Sequence, residues 1–381
     1  QQVEEVEYRP VVVGIDEDSL ARFGQWPWPR YRLAQLVEAL ERQGVAAIGL
    51  DLLMPEEDRT SPGVIFRERQ RDLNEKITVA PWLQGQRQND QLLAEAISGA
   101  QVVLGFKFLP VPVSVAGQHW VPEPLPGVVV RTEPGGTMPM AEQQGVLSSL
   151  DLLMQSGRQA GFVNATVDRD GVVRRVPLLL RYQGGYYPSL ALATVMQATA
   201  EGNLRFDVLR QETILSWNDQ QVQLDQRGNM LLGFSGGSTY RYVSAADVLQ
   251  GLLPPERLAG AVVFVGAVAA GLGDRHVTPM DRDFPGVKIH AVVASNLLNH
   301  SWYSHPVWVR GVELAVVVFL GMLSAWLFSF FNLRLPLLVS LGFVISLFWG
   351  SVALFRGAHY FVSPTVPILV LILNAGLLGL M

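Results

Sequence analysis

Acidic side chains follow several runs of apolar, β-branched residues, and that is where ligands bind in parallel α/β sheets. The residues concerned are Asp16 and Ser19 after Val11–Ile15, Asp51 after Ala46–Leu50, and Asp274 and Arg275 after Ala261–Val265. If those runs are parallel strands, Asp16, Asp51 and Asp274 could form a small-ligand or cation site. The alternative is structural: Asp18 and Ser19 suit a helix N-cap, and Asp51 could hold a loop amide. We favour the structural interpretation, because carboxylates at strand ends commonly tie down turns.

A second candidate segment is Trp26-Pro-Trp-Pro-Arg30. Its two prolines fix an extended path, while Trp26 and Trp28 bring a large apolar area next to the Arg30 guanidinium. The segment could close the core beside the first strand–helix loop. It could equally form a ligand wall or a dimer contact, because aromatic and arginine side chains anchor interfaces.

Patterns typical of enzymes and metal sites are weak in this chain. Gly233–Gly237 matches the G-x-S-x-G pattern around Ser235, but an extended segment follows where a nucleophile elbow needs a helix. Gly266–Gly273 lacks the spacing of a phosphate-binding loop, and no two histidines have the spacing of a metal-binding helix. The chain contains no cysteine. We therefore predict no catalytic residue, no metal and no cofactor.

The remaining pattern alternates strands and helices and predicts an α/β domain, a mostly parallel sheet with inserted antiparallel hairpins. The first two strands and the helix between them are expected to form a βαβ unit and hence a parallel pair. The predicted helices are Tyr31–Gln43, Gln91–Ile97, Ser189–Ala200 and Val287–Leu298, and a further strand is Val102–Phe106. The predicted hairpins are Gly161–Leu180, turning at Asp168–Gly171, and Leu224–Phe234.

Composition separates an acidic, water-soluble part from an apolar tail. Of the 381 residues, 49% are hydrophobic and only 17% are charged. Residues 1–313 hold 27 of the 29 basic and all 34 acidic residues, a net charge of −7, which argues against a nucleic-acid partner. The tail carries only Arg334 and Arg356, and its apolar runs are long enough to cross a bilayer. We predict a soluble domain over residues 1–308 and three transmembrane helices at about 309–331, 335–355 and 361–381, with Asn374 facing another helix.

Several sequence blocks resemble the type-two CHASE domain, in the order that this family shows. They are Ile15–Leu20, Gly24–Arg30, Ile48–Met54, Gly161–Leu178, Ala246–Gly251, Val263–Met280 and Phe284–Ala291. The combination of WPWPR with VGA…GLGD is quite specific, and the blocks extend over nearly the whole soluble part.

The resemblance implies an extracytoplasmic sensory domain in a bacterial inner-membrane receptor, with residues 1–308 outside and the C-terminus in the cytoplasm. It places a signal anchor before residue 1 and an output domain after residue 381. That output is expected to be a class III adenylate or guanylate cyclase, a histidine kinase or a related signalling enzyme. It names no stimulus, so the expected partners are an unknown small ligand or periplasmic protein, the lipid bilayer and a second copy of the chain in a homodimer.

Two other functions stay open from the sequence. The first is an extracytoplasmic serine hydrolase anchored by three helices, with Ser235 as its nucleophile. The second is a scaffold whose soluble domain binds a partner protein through Trp26 and Trp28.

Overall fold

The computed structural model describes residues 9–73, 88–112, 120–125, 128–132, 140, 142–200, 204–208, 213–217, 220–225, 227–234, 239–304, 307–357 and 360–378. The chain divides into two compact units. The first contains Gln1–Val129, Pro139–Arg205 and Arg227–Ser301. The second contains Val130–Met138, Phe206–Gln226 and Trp302–Met381. The domain boundary predicted after residue 308 stays a prediction.

The strands and helices follow the alternation that the sequence predicts. The strands are β1 (Val11–Ile15), β2 (Ala47–Asp51), β3 (Val102–Leu109), β4 (Val129–Thr132), β5 (Glu142–Gln143), β6 (Gly145–Leu147), β7 (Gln159–Phe162), β8 (Arg175–Pro177), β9 (Leu179–Tyr182), β10 (Gly185–Pro188), β11 (Leu204–Val208), β12 (Thr213–Trp217), β13 (Gln220–Leu224), β14 (Asn229–Leu231), β15 (Arg241–Ser244), β16 (Val262–Ala267), β17 (Arg275–His276) and β18 (Phe284–Pro285). The helices are α1 (Glu17–Phe23), α2 (Arg30–Arg42), α3 (Pro62–Leu73), α4 (Asn89–Gly99), α5 (Asp151–Ser156), α6 (Leu190–Thr199), α7 (Ala245–Leu249), α8 (Gly286–Leu298), α9 (Val307–Phe330), α10 (Arg334–Gly357) and α11 (Thr365–Leu378), with a 3₁₀ turn at Pro255–Arg257.

A seven-stranded sheet forms the centre of the first unit, in the order β15-β1-β16-β2-β3-β6, with β7 also paired to β3. All of its pairings are parallel except that of β3 with β6. The predicted parallel-dominated α/β fold is therefore confirmed. The predicted pairing of the first two strands is wrong, because β16 lies between β1 and β2 and bonds to both.

The register of the sheet brings the carboxyl ends of its central strands together. Gly266 of β16 is paired with Gly14 of β1 on one side and with Asp51 of β2 on the other. The strands are almost wholly buried, as expected for a parallel sheet covered on both faces. Helices α2 and α4 pack on each other, as do α6 and α8, and α8 lies against β16.

The two predicted hairpins meet different outcomes. The turn at Asp168–Gly171 forms, with the Gly171 amide donating to the Asp168 carbonyl, and Thr166 pairs antiparallel with Arg175. The start of that predicted hairpin, however, belongs to β7 in the central sheet. The hairpin predicted over Leu224–Phe234 is wrong: β13 pairs with β12, and β14 pairs with β8.

The second unit contains the four-stranded sheet β13-β12-β11-β4 and the three C-terminal helices. Two helices, Gly311–Phe330 and Arg334–Gly357, are long and apolar enough to cross a membrane. The third, α11, is apolar but shorter, and residues 379–381 of the predicted third span lie outside the described residues. The predicted packing role of Asn374 is confirmed, because its Nδ2 donates to Ser324 Oγ at 2.6 Å.

Candidate functional site

A cavity of about 220 Å³ opens at the carboxyl ends of the central strands of the first unit. Its walls come from the ends of β2, β3 and β16, from the segment after β7, and from the first turn of α8. The polar residues that line it are Asp51, Lys107, Asn164, Asp274, His276 and His290. Apolar residues include Trp26, Leu52, Val163, Ala267, Val287 and Ile289. This is the edge at which open α/β sheets bind ligands.

Local packing fixes the position of α8 in the wall of the cavity. A Cβ atom at Gly266 would lie only 2.7 Å from Val287 Cβ, so glycine is needed for the helix to approach β16 this closely. The backbone amide of Gly286, at the start of α8, donates to the Asp274 carbonyl at 2.9 Å. That bond connects the helix to the loop that follows β16.

Asp51 is the most perturbed carboxyl group of the cavity. It accepts no hydrogen bond from any residue that the structure describes. Burial, followed by the negative charge of Asp274, raises the pKa of Asp51 to about 7, and the positive charge of Lys107 opposes this only in part. Lys107 forms an ion pair with Asp274, with 3.4 Å between Nζ and Oδ2. Asp51 is therefore a carboxyl group without a partner at the end of β2.

Two histidines face the same carboxylates. The His290 ring is 5% exposed and stacks on Phe264, with 6.1 Å between ring centroids. Burial, and secondly the neighbouring His276, lowers the pKa of His290 to about 4, so the ring is neutral at pH 7. Its Nε2 lies 3.9 Å from Asp51 Oδ2, too far for a hydrogen bond, and its Nδ1 has no partner within the described part of the chain. Burial also lowers the pKa of His276.

Asp16 and Ser19 do not line this cavity; Asp16 caps α1, and Ser19 lies in the first turn of that helix. Asp16 is the N-cap residue, and its Oδ1 accepts from the Ser19 amide at 2.9 Å and from Ser19 Oγ at 2.7 Å. Ser244 and Tyr242 of β15 also donate to the same carboxylate, each at 2.8 Å. Burial by itself would raise the pKa of Asp16, but these hydrogen bonds outweigh it and hold the pKa below its usual value. The structural role expected at this loop is thus present, with Asp16 rather than Asp18 as the cap.

The Trp26–Arg30 segment divides between the core and the cavity. Trp28 is 1% exposed, and its Nε1 donates to the Gly24 carbonyl at 2.9 Å. Arg30 starts α2, where its amide donates to Asp58 Oδ2 at 2.7 Å and its guanidinium lies 3.6 Å from Asp90. Trp26 packs edge-on against Trp28 and reaches the cavity wall. Trp28 and Arg30 therefore pack where the segment was expected to close the core. Trp26 lies where the alternative interpretation placed a ligand wall.

Arg275 holds the loop after β16. Its guanidinium donates to the Val268 carbonyl at 2.7 Å and forms an ion pair with Asp283 at 3.1 Å. Of the eight predicted site residues, the structure therefore brings Trp26, Asp51 and Asp274 to one cavity. It gives Asp16, Ser19, Trp28, Arg30 and Arg275 structural contacts elsewhere in the first unit.

Four polar residues that line the cavity are not among the predicted site residues: Lys107, Asn164, His276 and His290. Lys107 stands one residue beyond the predicted strand Val102–Phe106, and that position at a strand end was the available signal. The histidines have no recognisable spacing to each other or to Asp51. Within the residues that the structure describes, no group of three or more histidine and acidic residues could hold a metal ion. Ser235, the nucleophile of the hydrolase alternative, lies outside the described residues.

Comparison with protein-family models gives a match to the CHASE2 domain over residues 2–326. Neither the curated proteins nor the solved structures contain a match to this chain.

Proposed function

The chain belongs to the CHASE2 domain family, and from this premise we propose that it is the sensory and membrane-spanning part of a bacterial receptor enzyme. CHASE2 is an extracellular sensory domain of signalling proteins, and two helices of this chain fit membrane anchoring. We propose that the output domain is a class III adenylate or guanylate cyclase, or a sensor kinase. The proposed topology has residues 1–308 outside the cell, three membrane spans with α11 as the third, a cytoplasmic C-terminus and a homodimeric assembly.

The observation that carries the sensory proposal is the composition of the cavity wall. One wall is the first turn of α8, and the chain leaves that helix at Leu298 and enters the first long apolar helix, α9, at Val307. A ligand that fills the cavity changes the packing of α8 on β16. An α8 that moves with ligand can therefore transmit occupancy along the chain to the membrane segment. A difference of about 1–3 kcal/mol between two positions of α8 is enough for such coupling.

The test uses the full chain fused after Met381 to a reporter cyclase in a cyclase-deficient bacterium. Gly266→Ala places a methyl group 2.7 Å from Val287 Cβ and pushes α8 away from β16. Val287→Ala removes methyl groups from the same contact and lets α8 approach. We expect the two substitutions to change cyclase output in opposite directions, by about fivefold each.

Matched controls separate signalling from general damage. Gly99→Ala adds the same methyl group at a position with nothing within 4 Å, and Val37→Ala truncates a buried valine of α2. Output is compared at equal amounts of membrane-inserted fusion protein. Unchanged output in both α8 variants, or equal changes in the controls, would contradict the proposal. If Gly266→Ala fails to accumulate, Val287→Ala against Val37→Ala still decides it.

A further inference from the structure

The cavity offers more hydrogen-bond acceptors than donors. Asp51 and Asp274 are carboxylates with two acceptor oxygens each, and the neutral rings of His276 and His290 each supply one acceptor nitrogen and one N–H donor. The one charged donor in its lining is the Lys107 ammonium, which is paired with Asp274. A ligand that satisfies this lining must bring donors, and ideally a positive charge.

Two of these groups have no hydrogen-bond partner among the described residues. His290 Nδ1 is buried, whereas the Asp51 side chain is 21% exposed and accepts no hydrogen bond from a described side chain or amide. Buried polar groups in folded proteins are normally paired, and leaving one unpaired costs about 1–3 kcal/mol. A ligand that donates a hydrogen bond to Asp51 therefore supplies a partner that the described residues do not provide.

The apolar part of the cavity limits what can carry that donor. Val163, Ala267 and Ile289 contribute aliphatic surface, and Trp26 contributes its indole ring. Indole faces attract organic cations. At about 220 Å³, the cavity is smaller than the roughly 300–1,000 Å³ pockets that hold drug-sized ligands. A small organic molecule with one charged end fits this combination.

We infer that the cavity binds a small primary ammonium compound, with its charged nitrogen beside Asp51 and its short apolar body against the aliphatic wall. The inference deepens the proposed sensory function, on which it rests, by naming the class of stimulus. No covalent step is involved: the ammonium group donates hydrogen bonds to the Asp51 carboxylate and to an imidazole nitrogen of His290.

Binding should be linked to a proton. A cation next to Asp51 favours the ionised carboxylate, which is only half populated near pH 7 in the empty site. The other titratable groups facing Asp51 are Asp274, Lys107, His276 and His290. The pKa of His290 is about 4, so this ring stays neutral from pH 6 to pH 8, and burial lowers the pKa of His276. Affinity for the ammonium probe should therefore rise about tenfold from pH 6 to pH 8, following the ionised fraction of Asp51.

The experiment measures binding of n-butylamine to the detergent-solubilised full chain by saturation-transfer NMR, with 1-butanol, butyrate and potassium chloride as comparison probes. We expect saturable binding of the amine, weaker binding of butanol and none of butyrate. Asp51→Asn should weaken amine binding at least tenfold, whereas Asp18→Asn, the same exchange on the exposed face of α1, should leave it unchanged. Lys107→Met removes the competing positive charge and should strengthen it.

Several results would overturn the inference. Equal binding of butanol, preferential binding of butyrate, displacement by potassium alone, or indifference to Asp51→Asn would each exclude an ammonium site. Should Asp51→Asn not fold, the Lys107→Met variant and the pH profile still decide the matter. Failure of the two proposals is distinguishable: amine binding without any effect of the α8 variants on cyclase output would defeat the sensory function, and the reverse pattern would defeat the ligand class.

Discussion

Two aspartates that look alike in the sequence lie at the ends of parallel strands in one sheet and have opposite environments. Asp16 follows β1 and accepts hydrogen bonds from Ser19, Tyr242 and Ser244. Asp51 ends β2 and accepts none from the described residues. The hydrogen bonds hold the pKa of Asp16 below its usual value, whereas burial and the charge of Asp274 raise the pKa of Asp51 to about 7.

The difference shows what separates a structural carboxylate from one available to a ligand. Asp16 is satisfied because it stands in the loop that starts α1, next to β15 at the edge of the sheet. Asp51 lies at the end of β2, between β16 and β3, where it faces Asp274, the His290 ring and a lysine that is paired with Asp274. Position within the strand order, and not residue type, therefore decides the role of an aspartate at a strand end.

The largest expected effect concerns the pH dependence of stability at Asp51. Between about pH 4 and pH 7 the folded state holds a proton on Asp51 that the unfolded state has lost, so the free energy of unfolding falls as pH rises through this window. The Asp51→Asn variant has no carboxyl group to titrate, so its free energy of unfolding does not fall in this way. Relative to the wild type, its free energy of unfolding should increase from pH 4 to pH 8 by at most about 4 kcal/mol. Urea titrations of the full chain in detergent, followed by tryptophan fluorescence, measure the difference.

Asp274→Asn provides a refinement of the same measurement. Removing that negative charge lowers the pKa of Asp51, so the window in which the wild type loses stability should move to lower pH. Parallel pH profiles for wild type and Asp51→Asn would show that Asp51 titrates normally, and the contrast with Asp16 would disappear.

A smaller effect is expected from Asp16→Ala, with the opposite pH dependence. The substitution removes the N-cap of α1 and the shortest hydrogen bond of the buried Ser19 hydroxyl, a loss of about 2 kcal/mol in the free energy of unfolding. Because the pKa of Asp16 is lowered, its stabilisation is complete above the usual aspartate range and disappears as pH falls below about 4. The same urea titrations at pH 7 and pH 3 test both statements.

Asp18→Ala is the matched control for Asp16→Ala. Asp18 lies in the first turn of α1, and its one ion pair among the described residues is the exposed pair with Arg22, so its removal should change stability by less than about 0.5 kcal/mol. Equal losses in the two variants would mean that the hydrogen bonds of Asp16 do not stabilise the fold.

The sequence predicts the bounds of individual strands and helices better than it predicts which strands pair with each other. The bounds of β1, α2 and α8 agree with the expected segments to within a residue or so, because period and termination signals are local. The insertion of β16 between β1 and β2, and the pairing of β14 with β8, join segments far apart in the chain and leave no periodic signal.

The same limit applies to the candidate site. Asp51 was predicted because it follows an apolar strand directly, and Asp274 because it comes in the segment after another apolar strand. Nothing near Asp16 in the sequence shows that Tyr242 and Ser244 of β15 donate hydrogen bonds to it. Nothing near Asp51 shows that His290 of α8 lies 3.9 Å from it. Whether a polar group is satisfied depends on such distant residues, so the division of roles between the two aspartates required the fold.

The smallest effect is expected from Tyr242→Phe, which removes a single hydrogen bond from the Asp16 carboxylate. The bond is exposed, so the loss in the free energy of unfolding should be only about 0.5–1 kcal/mol at pH 7. The pKa of Asp16 should rise towards its ordinary value, because one of the bonds that favour its charged form is gone. The Phe ring keeps the packing beside Gly14 and the contact with Lys288, so the measurement isolates the hydroxyl.

NMR titration of the Asp16 side-chain carboxyl reports the pKa directly, with Tyr186→Phe as a control. An unchanged Asp16 pKa would show that the hydrogen bonds from Ser19 and Ser244 alone lower it. The difference between Asp16 and Asp51 would then come from the N-cap hydrogen bonds, with no contribution from Tyr242.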